Sequence, residues 1–138
     1  MKIVFASDLG FRGADELLSK EYIENALFDA KESMKDADFR MLNLETVFNE
    51  NYPPIIKSGP NNRALPGYMY SLEYMGIDLV GLANNHTGDY GEECVLYNFD
   101  YLKEHGFAYC GAGRNIDEAY NSGLVEKDGE RVSVIAVC

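Results

Sequence analysis

Ile77-Asp78-Leu79-Val80-Gly81-Leu82-Ala83-Asn84-Asn85-His86-Thr87-Gly88-Asp89-Tyr90-Gly91 passes directly from an apolar run into a polar one. Ile77 to Ala83 reads as a strand, and the short continuous apolar run Ile3 to Ala6 as one buried in a sheet with both faces covered. The same arrangement occurs twice upstream. Ile3 to Ala6 precedes Asp8, and the strand-like Phe39 to Leu44 carries Asn43 and is followed by Glu45. Between these runs the period changes to that of a helix. Ile23, Leu27, Ala30 and Met34 form one stripe of a helix expected from near Asp15 to near Lys35. Leu65, Met69, Leu72 and Met75 form another, with Pro66 in its first turn and Gly76 just past its end. Further along, Glu92 to His105 reads as a helix ended by Gly106, Phe107 to Cys110 as a fourth strand and Ile116 to Ala119 as a short helical turn. Gly123 to Glu126 and Val132 to Val137 alternate around Asp128-Gly129, a hairpin signal. Strands alternating with helices and then a hairpin predict an α/β fold, mostly parallel, with a late antiparallel portion.

The stretch from Asn49 to Asn62 holds Pro53-Pro54, Gly59-Pro60 and Asn61-Asn62, which break both periods and predict a long exposed loop. No repeat, low-complexity tract or linker interrupts the chain, so residues 1–138 read as one domain. Tyr68, Tyr70 and Tyr74 flank the second helix and are expected to serve packing.

Twelve Lys and Arg stand against 23 Asp and Glu, a net charge of −11 over 138 residues. A surface so negative repels phosphate backbones and anionic lipid, which excludes sequence-independent nucleic-acid binding and polybasic membrane docking. The apolar run at the amino terminus is too short for a signal-peptide core or a membrane span. As given, the chain reads as cytoplasmic, although a parent protein with an export signal or membrane anchor would leave the same reading. Cys94, Cys110 and Cys138 are odd in number and lack metal-ligand spacing, so free thiols are expected rather than a disulfide framework or structural zinc.

In an open parallel sheet the carboxyl ends of the strands share one edge, where residues distant in sequence converge. Asp8, Asn43, Glu45 and Asn84-Asn85-His86 would meet there. Hard oxygens together with imidazole suit Mn²⁺, Fe or Zn²⁺ in a hydrolytic centre. Each cluster taken singly also fits a cap, a solvated loop acid or a turn pair. The other histidine, His105, is expected to cap the end of its helix.

Asn43-Leu44-Glu45, Arg63-Ala64-Leu65-Pro66, Gly76-Ile77-Asp78, Leu82 through Gly91, Gly111-Ala112-Gly113-Arg114-Asn115 and Glu118-Ala119 resemble the CapA family of poly-gamma-glutamate (capsule) biosynthesis proteins. That family is itself similar to the calcineurin-like metallophosphoesterases. The resemblance runs from near residue 1 to the carboxyl terminus, and its most specific block is Ala83-Asn84-Asn85-His86 with Asp89-Tyr90-Gly91. It implies a four-layer α-β-β-α sandwich with a dinuclear divalent metal centre. Asp8 would bind the first metal, Glu45 would stand at the bridging acid, and Asn85 would bind the second. His86 would contact the scissile phosphate or protonate the leaving group, with Asp89 fixing its orientation. Arg63 and Arg12 are the cations expected near an anionic phosphate ester or polymer.

The pattern also departs from that superfamily. Asp8-Leu9-Gly10 lacks the histidine expected two residues on, and no His follows His105. The apolar run Val134 to Val137 at the carboxyl terminus suggests a sheet cut short, hence an amino-terminal portion of a longer family member, or a degenerate version of it, and an exposed edge able to form a homo-oligomer. Weak, single or absent metal binding follows as the expectation. Two functions remain open. One is a metal-dependent, phosphoesterase-type hydrolase. The other is a non-catalytic scaffold or binding component of capsule biosynthesis, or an inactive fragment of a larger enzyme.

Overall fold

The computed structural model describes residues 1–11 and 19–138. Four strands, β1 (Ile3–Leu9), β2 (Phe39–Leu44), β5 (Leu79–Gly81) and β6 (Ala108–Cys110), form a parallel sheet in the order β1-β2-β5-β6. Between them run α1 (Lys20–Met34), the short paired strands β3 (Val47–Phe48) and β4 (Arg63–Ala64), a 3₁₀ turn at Pro66–Met69, α2 (Tyr70–Met75) and α3 (Gly91–Glu104). The chain closes with α4 (Ile116–Tyr120) and the antiparallel pair β7 (Gly123–Lys127) and β8 (Glu130–Val134).

Alternation along β2 assigns the two faces. Leu42 and Leu44, with Val80 and Leu82, pack on Ile23 and Met34 of α1, Leu72 and Met75 of α2, and Phe99 and Leu102 of α3. On the opposite face Phe39 and Leu79 pack with Cys110 and Val134 under the hairpin. Helix layer, parallel sheet and hairpin are the α-β-β part of the expected sandwich. The hairpin comes so close to β5 that a Cβ on Gly123 would collide with the Leu79 side chain. Toward β1 this cover thins, and Ile3 and Phe5 are 38% and 62% exposed, so the run Ile3 to Ala6 is covered on its helix face only, through Val4 and Ala6, and not on both faces as expected.

Local signals account for the helix ends. Ser19 caps α1, its Oγ accepting from the Tyr22 N–H at 3.2 Å. The expected start near Asp15 lies outside the described residues. Gly76 ends α2 at φ 67°, a conformation that glycine adopts without Cβ strain. His105 stands at the end of α3 and its Nδ1 lies 2.9 Å from the Tyr101 carbonyl. The helix read from Pro66 begins instead as the 3₁₀ turn. The run read as Ile77 to Ala83 is a strand only over Leu79–Gly81, because each neighbour offers three rungs of pairing.

The tyrosines serve packing where α1 meets α2. The Tyr68 ring meets that of Phe11 at a tilt of 41° with centroids 4.8 Å apart, and Lys20 and Lys31 of α1 lie over the rings of Tyr70 and Tyr74. Cys94 and Cys110 are free and buried, whereas Cys138 is free and exposed. Burial pushes the Cys94 thiol up to about 11, so it is inert as a nucleophile at neutral pH. No described helix is long and apolar enough to cross a membrane.

Candidate functional site

Parallel pairing sets Asp8 of β1 opposite Asn43 of β2, and Asn43 opposite Gly81 of β5. The polar residues at these strand ends then join through side chains. Asn84 Nδ2 donates to Asn43 Oδ1 at 3.1 Å and to the Leu44 carbonyl at 3.0 Å, and Asn43 Nδ2 donates to Asp8 Oδ1 at 2.8 Å. Asn84 Oδ1 accepts from the His86 N–H at 3.0 Å, which starts the turn carrying His86 and Asp89. One directional chain of amides therefore runs from the Asp8 carboxylate to the His86 backbone.

His86 and Asp89 form the second half. Both are buried, at 5% and 1% exposure, and His86 Nδ1 lies 2.7 Å from Asp89 Oδ2. Asp89 has further partners on the loop that follows β3. Lys57 Nζ is bonded to Asp89 Oδ1, the Asn62 N–H donates to Oδ2 at 2.6 Å, and the Ile55 N–H donates to the Asp89 carbonyl at 2.9 Å. Burial alone would push the Asp89 carboxyl up, but the hydrogen bonds from Lys57, His86 and the Asn62 N–H outweigh it and hold the group below the ordinary carboxylate range. Asp89 is therefore an anion at neutral pH. Facing an acceptor that already takes other donors, His86 Nδ1 must itself donate, which leaves Nε2 as the nitrogen free for proton exchange.

Asn62 connects this half to Glu45. Its Nδ2 donates to the Glu45 carbonyl, while its Oδ1, buried, has no partner among the described residues. A Cβ placed on Gly10 would lie 3.2 Å from Asn62 Nδ2 and 3.7 Å from Glu45 Oε2, so the Glu45 carboxylate sits beside the turn that follows Asp8.

The residues singled out from sequence thus divide. Asp8, Glu45, His86 and Asp89 belong to one network built on Asn43, Asn62 and Asn84. Asn85 lies between inward-facing neighbours and is itself exposed. Arg63 opens β4 in register with Val47, directly after Asn62. Arg12 lies outside the described residues. Lys57 and Asn62 were not singled out. A lysine and an asparagine in a Pro- and Gly-broken loop look like solvated surface, and only their long-range contacts mark them.

Residues 2–138 match a family described as Bacterial capsule synthesis protein PGA_cap. The chain belongs to that family. The match agrees with the resemblance to the CapA family. Two proteins of Sinorhizobium fredii (strain NBRC 101917 / NGR234), uncharacterized protein y4sH and uncharacterized protein y4uA, are each 30% identical to it over 111 residues. The match covers 76% of this chain and 24% of each relative, so the chain spans about a quarter of the length of these curated relatives.

The resemblance to metallophosphoesterases implies two divalent ions. Among the described residues, no group of three or more His, Cys, Asp or Glu is placed to hold one. The amide oxygen of Asn43 accepts from Asn84, and that of Asn84 accepts from His86 N–H and Thr87 Oγ1. What remains is the carboxylates of Asp8 and Glu45, the surface amide of Asn85, Asn62 Oδ1 and His86 Nε2. That set is short of the donors that two ions require, and these residues do not fit a dinuclear centre by themselves.

Proposed function

We propose that the strand-end network is the part of a capsule-synthesis protein that handles an anionic substrate, a phosphate ester or an acidic polymer, and that His86 acts in its hydrolysis. The observation that carries this reading is the 2.7 Å contact between His86 Nδ1 and Asp89 Oδ2 in a buried setting. A carboxylate on Nδ1 fixes the ring and its tautomer and stabilises the imidazolium. In the imidazolium, protonated on both nitrogens, Nε2–H then delivers its proton to a leaving oxygen or donates a hydrogen bond to a phosphoryl oxygen. Arg63, next to Asn62, is the cation proposed to attract the anionic group.

The test is hydrolysis of a chromogenic phosphodiester by the full chain with Mn²⁺ present. His86→Asn should lower kcat by about 10²- to 10⁴-fold, the range of general acid catalysis, with the circular dichroism spectrum unchanged. An equal rate in the folded variant would refute the assignment. A second reading rests on the shortage of carboxylate and imidazole donors. In it the chain is a non-catalytic binding component of polymer synthesis. A folded wild type with no turnover would favour it. The net charge of −11 then argues for a protein partner or bridging cations rather than direct contact with polyglutamate.

A further inference from the structure

We propose that Lys57 is a positioning residue for His86: the loop of residues 49–62 is fastened to Asp89, and the Lys57 ammonium fixes the carboxylate that fixes the imidazole. The proposal rests on the reading of His86 as the acting side chain, but its structural core can be tested without turnover.

Asp89 meets this loop at three places. Its carbonyl takes the Ile55 N–H, Oδ1 takes Lys57 Nζ and Oδ2 takes the Asn62 N–H. The two carboxylate oxygens have separate duties. Oδ2 is shared by the Asn62 N–H and His86 Nδ1, whereas Oδ1 faces Lys57. The terminal torsion of an aspartate is broad and soft, so a carboxylate held on one oxygen swings about its Cβ–Cγ bond. Gripping the second oxygen removes that freedom and sets where Nδ1 must point. The charge matters as well as the grip. An ammonium opposite Oδ1 keeps Asp89 an acceptor on both oxygens, and the ring proton then stays on Nδ1.

The loop is built to deliver Lys57 at a fixed place. Asn49 Oδ1 accepts from the Asn51 and Tyr52 N–H groups at 3.0 and 2.8 Å, and Asn49 Nδ2 returns to the Tyr52 carbonyl at 2.8 Å. Pro53-Pro54 stiffens the next step. The Lys57 side chain is only 20% exposed, and methionine, of similar length and unbranched, fills most of the same space without the charge. Asn62 still holds Oδ2 through its backbone. A Lys57 variant is therefore expected to fold and to lose ring control only.

The experiment is long-range ¹H–¹⁵N correlation of the imidazoles in the full chain, at a pH above the histidine range. The chain has two histidines, and His105→Gln assigns His86. Wild type should show a single tautomer protonated on Nδ1. Lys57→Met should show mixed tautomers with an otherwise native amide spectrum, and Lys57→Arg should restore the single form. Should Lys57→Met fail to fold, Lys57→Gln, which keeps a donor but no charge, reads the same effect. An unchanged Nδ1-protonated tautomer in the neutral variants overturns the proposal, as does mixing in Lys57→Arg equal to that in Lys57→Met. Phosphodiester turnover separates the two claims. If wild type turns over, Lys57→Met should lower kcat about 10-fold or more at unchanged KM. If it does not, the hydrolase reading falls while the spectrum still decides the role of Lys57.

Discussion

Replacing Asp89 with asparagine keeps the volume and removes the charge from the most heavily bonded buried side chain of the site. The carboxylate takes three donors on two oxygens: Lys57 Nζ, His86 Nδ1 and the Asn62 N–H. An asparagine offers one oxygen and one amino group, so one side must face a donor. With its oxygen toward Asn62 and His86, the amino group opposes Lys57, which turns out to solvent and takes with it a charge-assisted bond worth about 1.5–3 kcal/mol. In the other orientation the buried Asn62 N–H has no acceptor, at about 1–3 kcal/mol. Allowing for weaker bonds that remain, Asp89→Asn should cost about 2–4 kcal/mol of a total of roughly 5–15. In urea, with a slope of about 1.5–2 kcal/mol per M, the midpoint should fall by about 1–2 M at neutral pH. The pH dependence has a definite sign. Because the folded carboxyl is held below its ordinary value of 3.8, its contribution is fully present above that value and is lost as pH falls through the lower folded one. The gap between wild type and variant should therefore be widest near neutrality and shrink in acid below 3.8. A variant as stable as wild type at neutral pH, or a gap constant down to strong acid, would refute this reasoning.

Two further predictions concern the scaffold and the metal. Asn98 is 5% exposed and pairs both backbone groups of Phe48, accepting from its N–H at 2.8 Å and donating to its carbonyl at 2.9 Å. Asn98→Ala leaves both groups buried without partners, so urea unfolding should show a loss of about 2–5 kcal/mol, and a loss below about 0.5 would contradict the assignment. After reconstitution with Mn²⁺ or Zn²⁺ and desalting, mass spectrometry of the chain should find fewer than two ions per chain. Close to two would show that ligands beyond the described residues complete a centre.

What the sequence conveyed well is what local rules govern. Phe39–Leu44 was bounded as observed, since an apolar run between polar ends has one good register against its neighbours. Gly76 marked the end of α2 because only a residue tolerant of the left-handed region ends a helix there cheaply. The order of elements then followed, and with it the convergence of Asp8, Asn43, Asn84 and His86 at one edge. Less legible were features decided by distant partners. Val47–Phe48 and Arg63–Ala64 are too short to show a period, and they pair across the whole intervening loop. That loop read as exposed and irregular, which its backbone is, yet its fastening to Asp89 joins residues 27 and 32 positions apart. Nothing in the composition of a Pro-broken segment announces a buried carboxylate as its partner.

The amide chain explains why the site is rich in polar residues and poor in free ligands. Asn43 and Asn84 stand where a metal centre would profit from carbonyl oxygens. Each amide nevertheless has its donors and acceptors matched in one direction, from Asp8 through to the backbone of His86. Flipping either amide would set donor against donor, so the chain holds one arrangement of the strand ends. The turn bearing His86 thereby inherits its position from the sheet, while the loop from Asn49 to Asn62 sets the ring through Asp89. Backbone and ring are controlled from two separate segments. Substitutions in the amide chain should accordingly displace the whole turn, whereas substitutions at Lys57 should leave the turn in place and loosen only the imidazole.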